Sequence, residues 1–138
     1  MPTFSEQLRI STQGDGDAID LTDRVARVVE AAGVERGVAS VFVPGSTAAI
    51  TTMEHEPGGV HDLRATLDRL VPHEGDYEHN RLNHDTNSHA HIRAAIVGPS
   101  ETFPIAAGRL LLGTWQQVVL LDFDDRPRDR TVIVSVSS

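Results

Sequence analysis

The last third of the chain consists of short apolar runs with no room between them for a long helix. The runs TFPIA, RLLLG, QQVVLLDFD and TVIVSVS are rich in β-branched and other apolar residues, and Gly, Asp and Pro separate them. Such runs predict strands joined by hairpin-like turns, of which DDRPRD is the clearest. Strand pairs without intervening long helices favour an antiparallel α+β fold over a doubly wound parallel sheet. At 138 residues, we expect a single domain over 1–138 with its own core.

The N-terminal part predicts a strand followed by a helix. Residues 3–13 alternate, with Phe4, Leu8 and Ile10 on one side and polar residues on the other apart from Glu6, which is typical of a strand with one buried face. GDGD then predicts a turn. Apolar residues at helical spacing predict a helix over 20–32, with Asp20 or Thr22 as N-cap and a stop at Gly33.

The middle of the chain predicts two further strands and two further helices. Apolar runs at 38–43 and 48–54, interrupted by PGST, predict a pair of adjacent buried strands. Periodic Val and Leu residues predict a helix over 58–70. Residues 73–88 lack apolar periodicity and predict an ordered surface loop. A short helix follows over 89–97, ended by a Gly-Pro pair, which gives about three helices in all.

Composition excludes several classes of function. The chain has no cysteine and no lysine, so thiolate metal sites, cysteine nucleophiles and lysine chemistry are excluded. The net charge of −8 argues against nucleic acid, although local arginines can still hold a small phosphorylated ligand. No apolar run is long enough for a membrane span, and no secretory signal is evident, so we expect a cytoplasmic protein.

Histidines concentrate in one segment. Five of the seven lie within 73–91, with several carboxylates between them. Imidazole and carboxylate suit Zn, Mn or Fe, so candidate metal ligands are present, while solvated or capping histidines are the alternative. The candidates are His79, His84, His89 and His91. On the predicted helix, His89 and His91 lie about 200° apart, and we favour His91 because Asn87 precedes it at the helix mouth.

Three further features suggest ligand contacts. The start of the 89–97 helix favours an anion, with Asn87 and Arg93 as phosphate contacts. In PGSTAAITTME, Ser46 and Thr47 offer hydroxyls and Glu54 offers a general base or metal ligand; the alternative is a turn followed by a buried strand. In GRLLLGTWQQ, Arg109 suits a phosphate, Trp115 suits stacking on an aromatic ring, and Gln116 suits the polar edge of that ring. The alternative for Trp115 is an anchor in the core or at an interface.

Four segments, taken in order, resemble the YjbQ family, whose members are described as secondary thiamine-phosphate synthases. The segments are GSTAAITTME, DYEHN, HDTNSHAHIRAAIVGPS and FPIAAGRLLLGTWQQVVLLDFDDRPR. The resemblance covers nearly the whole chain. It implies a compact α+β subunit with antiparallel sheets, a homotrimer, and a site near the histidines and at a subunit boundary. The implied reaction joins hydroxymethylpyrimidine diphosphate to a thiazole phosphate and releases diphosphate.

The resemblance also implies roles for particular residues. Glu54, His79, Asp85 and His91 match the family's motif residues and are the implied catalytic groups, while Arg109, Trp115 and Gln116 match its GR and GTWQ motifs. One departure is that many relatives carry His-Thr-Thr or His-Thr-Ser where this chain has Gly45-Ser46-Thr47. If that histidine acts in the relatives, His84 and His89 are the candidate substitutes here.

The leading functional expectation is therefore a thiamine-phosphate synthase-like transferase, as a secondary activity, acting on a small phosphorylated substrate. A divalent metal, Mg or Zn, is a candidate cofactor. Two alternatives remain open from the sequence. One is a metal-dependent hydrolase or phosphatase using Glu54, His79 and His91. The other is a non-catalytic trimer that binds a metal or a small ligand.

Overall fold

The computed structural model describes residues 3–138 and contains eight strands and four helices. The strands are β1 Thr3–Thr12, β2 Asp17–Asp20, β3 Gly37–Phe42, β4 Ala48–Met53, β5 Ser100–Ala106, β6 Arg109–Leu110, β7 Gln117–Asp122 and β8 Arg128–Ser137. The helices are α1 Thr22–Ala32, α2 Pro57–Leu70, α3 Glu78–Asn83 and α4 Ser88–Val97. The antiparallel α+β prediction is confirmed, with four helices instead of three because the segment predicted as a loop contains α3.

The strands form two antiparallel sheets. Five strands lie in the order β1-β8-β3-β5-β6, and three lie in the order β2-β7-β4. The predicted pairing of β3 with β4 is wrong, since the two strands lie in different sheets. The DDRPRD turn is not a hairpin either, because it carries the chain from β7 in one sheet to β8 in the other. Apolar runs predict strands but do not specify their partners.

One tight hairpin is present, between β5 and β6. Ala106 pairs with Arg109, so the loop is the two residues Ala107 and Gly108. Both have positive φ, 51° and 74°. Two residues of positive φ are the requirement of a type I′ turn, whose twist matches that of the strands it joins.

The three-stranded sheet lies between two apolar clusters. On one side, Ile50, Val118 and Leu120 pack with the inner face of the five-stranded sheet and with α1. On the other, Val119 and Leu121 pack with residues of α2 and α4. Burial of both faces explains why β7 is a continuous apolar run and does not alternate.

The predicted helix boundaries hold to within one or two residues. Gly33 ends α1 with φ of 66°, and the Asp20 carboxylate accepts hydrogen bonds from the N–H and hydroxyl of Thr22, the first helical residue. The Glu56 carboxylate accepts from backbone N–H groups at the start of α2, where Pro57 occupies the first turn. Within residues 3–138, no helix combines the length and the apolarity that a bilayer crossing requires.

Candidate functional site

A sharp corner between α3 and α4 presents the histidine-rich segment. His84 ends α3 in the left-handed region, with φ of 51°. The backbone carbonyl of Asn80 accepts from the N–H of Asp85 at 3.1 Å, and the Asn80 side-chain oxygen accepts from the N–H of Ser88 at 3.1 Å. Asn80 therefore fixes the end of one helix against the start of the next.

Four side chains converge at this corner, namely His79, Asp85, Asn87 and His91, and we call them the histidine cluster. Asn87 Oδ1 lies 3.1 Å from Nε2 of His79, which fits a hydrogen bond donated by the imidazole. Asp85 Oδ2 lies 3.9 Å from the same nitrogen. The rings of His79 and His91 meet edge to face, with centroids 4.7 Å apart. The His79 and Asp85 side chains are 36% and 45% exposed, so solutes can reach them.

His91 also lines a cavity of about 260 Å³. Gly45, Ser46, Ala48 and Pro99 line it together with the helix residues around His91. Ser46 is exposed at its rim. The structure thus brings the predicted residues Ser46, Asn87, His79, Asp85 and His91 to one region of the chain.

His89 and Arg93 belong to the opposite side of α4, as the predicted helical spacing requires. His89 is 1% exposed and packs against His73, with ring centroids 3.9 Å apart. Burial, together with the charges of His73 and Arg93, lowers the pKa of His89 below its usual value. Arg93 is 5% exposed, and its guanidinium donates to the Val71 carbonyl and to Asp68. It closes the end of α2 and does not reach the helix mouth for which it was predicted.

Thr47 belongs to a buried polar network that the sequence analysis missed. Its hydroxyl accepts from Arg130 at 2.7 Å, and Arg130 also donates to both oxygens of Asp122 at 2.8 Å. Thr12 donates to Asp122, and Asp124 lies 3.9 Å from the guanidinium. We call these five residues the arginine network. The sequence signal for this network is Asp122, a charged residue at the end of the apolar run of β7.

Hydrogen bonding controls the ionisation of this network. Burial by itself raises the pKa of the Asp122 carboxyl, but hydrogen bonds from Arg130, Thr12 and the N–H of Asp124, with the Arg130 charge, bring it below its usual value. The same contacts with Asp122 raise the pKa of Arg130. The pair therefore stays ionised in the core and links β7 to β8.

The remaining residues predicted to contact a ligand lie away from the histidine cluster, most of them near the Met53 end of β4. Gln116 donates to the Thr52 hydroxyl at 3.2 Å, and the Trp115 side chain is 73% exposed. Glu54 is exposed just past the strand. Six residue-to-residue steps of extended chain lead to it from Ala48 at the His91 cavity, a span of about 20 Å. Arg109 lines a separate cleft with residues of α1. One chain therefore does not bring Glu54 to the histidine cluster.

A complete metal site is not formed within one chain. Among residues 3–138, no three His, Asp or Glu side chains are grouped so that they could hold a metal ion. His79 Nε2 is directed to Asn87, His84 lies exposed at the end of α3, and His89 is buried on the far side of α4. Of the four candidate ligands only His79 and His91 come together, so the described residues of one chain do not form a three-ligand metal site.

The sequence and the fold of this chain are similar to those of proteins from bacteria and archaea. A family model described as UPF0047 protein YjbQ-like matches residues 6–138. The chain belongs to the YjbQ family. A YjbQ relative from Archaeoglobus fulgidus, a UPF0047 protein, is 39% identical over 93% of this chain and 97% of that protein. One from Synechocystis is 40% identical over 96% of this chain and 90% of its own length.

Solved YjbQ structures have the same fold along their whole length. A YbjQ-like protein of unknown function from Sulfolobus solfataricus P2 matches with a TM-score of 0.93 at 32% identity, covering 98% of this chain and 96% of that chain. An uncharacterized YjbQ/UPF0047 protein from Clostridium acetobutylicum matches with a TM-score of 0.88 at 39% identity, covering 96% and 99%. The resemblance inferred from the motifs is confirmed.

Gly45 is the position at which the resemblance implied a histidine in many relatives. Its φ of 153° favours glycine, and a Cβ added there would lie 2.9 Å from Nη1 of Arg130. A histidine at this position requires the guanidinium of the arginine network to move. Glycine at this position is therefore compatible with the observed place of the Arg130 guanidinium, and Gly45 lines the cavity beside His91.

Proposed function

We propose that the histidine cluster is the catalytic site of a thiamine-phosphate synthase-like transferase, acting on small phosphorylated substrates. The observation that carries the proposal is the convergence of two imidazoles, a carboxylate and a carboxamide on an accessible corner beside a cavity. The named reaction comes from the family resemblance. The geometry contributes the groups that such a reaction needs.

In the proposed reaction, a thiazole nitrogen attacks the methylene carbon of hydroxymethylpyrimidine diphosphate. A new C–N bond forms while the C–O bond to diphosphate breaks, and the electron pair leaves on the diphosphate oxygen. Charge develops on that oxygen, so positioned N–H donors stabilise the transition state. His91 is the proposed donor to that oxygen, Asn87 orients the neighbouring His79 ring, and Asp85 lies 3.9 Å from the same His79 nitrogen.

The second half of the proposed site comes from another subunit. Glu54, Trp115 and Gln116 lie at the end of β4 remote from His91, so they serve the same reaction only if a neighbouring copy places them at the histidine cluster. We therefore propose the homotrimer, with each site at a subunit boundary. The exposed Trp115 then supplies an aromatic face for the pyrimidine ring, and Glu54 supplies a carboxylate.

No step of this proposal passes through a metal ion. The ligand arrangement described above also gives no support to a hydrolase with three protein ligands from one chain. A divalent ion that accompanies the diphosphate belongs to the substrate in this proposal.

The proposal is tested by mixing two inactive variants. His91→Ala removes one half-site and Glu54→Ala removes the other, and each purified variant is expected to lose thiamine phosphate formation. Refolding the two together places an intact cluster beside an intact Glu54 at up to about a quarter of the boundaries. Recovery of that fraction of wild-type turnover supports the shared site. Full activity of either variant alone, or no recovery in a mixture that forms trimers, contradicts it.

A further inference from the structure

Buried His89 lacks a hydrogen-bond partner that its position requires. Its Nδ1 is buried and has no hydrogen-bond partner among the described residues. Leaving a buried polar atom unsatisfied costs about 1–3 kcal/mol, so such atoms call for an explanation. No step of the proposed transfer reaction uses this nitrogen, because His89 and His91 lie on opposite sides of α4.

His89 lines a cavity of about 330 Å³, which is within the range of small-molecule sites. The cavity is separate from the one beside His91. The other lining residues are Asp15, Asp68, His73, Arg93 and Phe123. Phe123 is buried and gives one wall an apolar surface.

The polar lining of this cavity carries an excess of negative charge. Arg93 is the cation, and it already donates to Asp68 at 3.1 Å. The Asp15 carboxylate is a second negative charge at the cavity. The buried Nδ1 of His89 has no partner among the described residues, so it is available to accept a hydrogen bond. A ligand that suits this lining is positively charged and donates through N–H groups.

The ring of His73 lies against the ring of His89. His73 is exposed, and its ring centroid lies 3.9 Å from that of His89 at an interplanar angle of 41°. Exposed side chains change rotamer within nanoseconds, so the ring is free to swing out. A planar group of similar size then takes its place against His89.

We propose that this cavity is a second binding site, which takes a small planar cation of the amidine class in place of the His73 ring. One N–H of the ligand donates to Nδ1 of His89, whose proton then lies on Nε2. A second N–H donates to the Asp15 carboxylate. Two charge-assisted contacts and the apolar wall of Phe123 recognise the ligand.

Acetamidine is the probe, with acetamide and acetate as matched uncharged and anionic analogues. Binding to the full chain is followed by calorimetry and by the ¹⁵N shifts of the histidine rings. Acetamidine is expected to bind at least about tenfold more tightly than either analogue, and to give His89 a shift pattern of Nε2–H with an accepting Nδ1. Preferred binding of acetate, or an Nδ1–H tautomer, overturns the proposal.

Three variants locate the binding. His89→Phe keeps a ring without nitrogen and is expected to weaken acetamidine by about tenfold or more, and Asp15→Asn to weaken it several-fold. His73→Ala removes the cover and is expected to tighten binding. His84→Asn, a control at an exposed left-handed position, leaves it unchanged. Unchanged binding in His89→Phe, or weaker binding in His73→Ala, overturns the site. A folding failure of His89→Phe leaves Asp15→Asn and the ring shifts to decide.

Discussion

The arginine network and the histidine cluster are both groups of polar residues, and they differ in burial and in how closely their members contact one another. Arg130 and Asp122 are 5% and 0% exposed and bond each other through two contacts of 2.8 Å. His79 and Asp85 are 36% and 45% exposed and stand 3.9 Å apart. The first group is closed to solvent and fully partnered, whereas the second is open and loosely held.

The difference in burial and partnering fits a structural role for the arginine network and the functional role that we propose for the histidine cluster. A buried ion pair whose hydrogen-bonding capacity is used within the fold has none left for a substrate, and breaking it leaves an uncompensated charge. An accessible cluster with long contacts contributes little to stability and retains donors for a ligand. Substitutions in the two groups should therefore give opposite results, namely loss of stability in one and loss of function in the other.

The largest expected effect on stability comes from Asp122→Asn. The substitution keeps the shape of the side chain but removes the charge that compensates buried Arg130, at an expected cost of about 3 kcal/mol in the free energy of unfolding. Denaturant titration measures it. Asp129→Asn is the matched control, because Asp129 lies exposed on β8 and accepts only from Ser11, so its expected effect is below about 0.5 kcal/mol. An equal loss in the free energy of unfolding for the two variants would contradict the structural role of the arginine network.

Arg93→Met tests the comparison at a residue that was predicted to bind the substrate. Methionine keeps most of the side-chain volume but loses the donors to Val71 and Asp68, so we expect a loss of about 2 kcal/mol in the free energy of unfolding. KM for the phosphorylated substrates should stay at the wild-type value. A raised KM with unchanged stability would return Arg93 to the substrate-binding residues.

A smaller effect is expected from acid. The pKa of Asp122 is lowered in the folded chain, so its contribution is fully present above pH 3.8, its ordinary value, and is lost as the pH falls through the lower folded value. The Asp122→Asn variant lacks this contribution at every pH. The stability difference between the wild type and this variant should therefore shrink below about pH 3.8 in parallel denaturant titrations. A difference that is constant down to pH 2 would contradict the lowered pKa.

Local patterns in the sequence were sufficient to predict most of the secondary structure. Three helices were predicted nearly to their observed ends, because their signals act within about one turn of helix. The signals are Gly33 after α1, the spacing of Val and Leu in α2, and the Gly-Pro pair after α4. α3 was missed because it is six residues long and buries none of them. Without a buried face, it leaves no apolar period to detect.

What the sequence did not predict depends on contacts between distant segments. The assignment of β3 and β4 to different sheets, and the partnership of Arg130 with Asp122 and Thr47, depend on tertiary packing. The helical spacing of α4 did predict that His89 and His91 face opposite ways. It did not predict that Arg93 turns toward the end of α2, since the free carbonyl of Val71 is visible only in three dimensions.

The most direct test of the histidine cluster is turnover by His91→Ala, measured as thiamine phosphate formed from hydroxymethylpyrimidine diphosphate and thiazole phosphate, alongside the unfolding midpoint. The wild type is expected to turn over, and His91→Ala to lose about a hundredfold or more in rate, the effect of removing a group that acts on the transition state. Its unfolding midpoint should stay at the wild-type value, as should the turnover of the Asp129→Asn control. Wild-type turnover in a folded His91→Ala protein would contradict the assignment of the site.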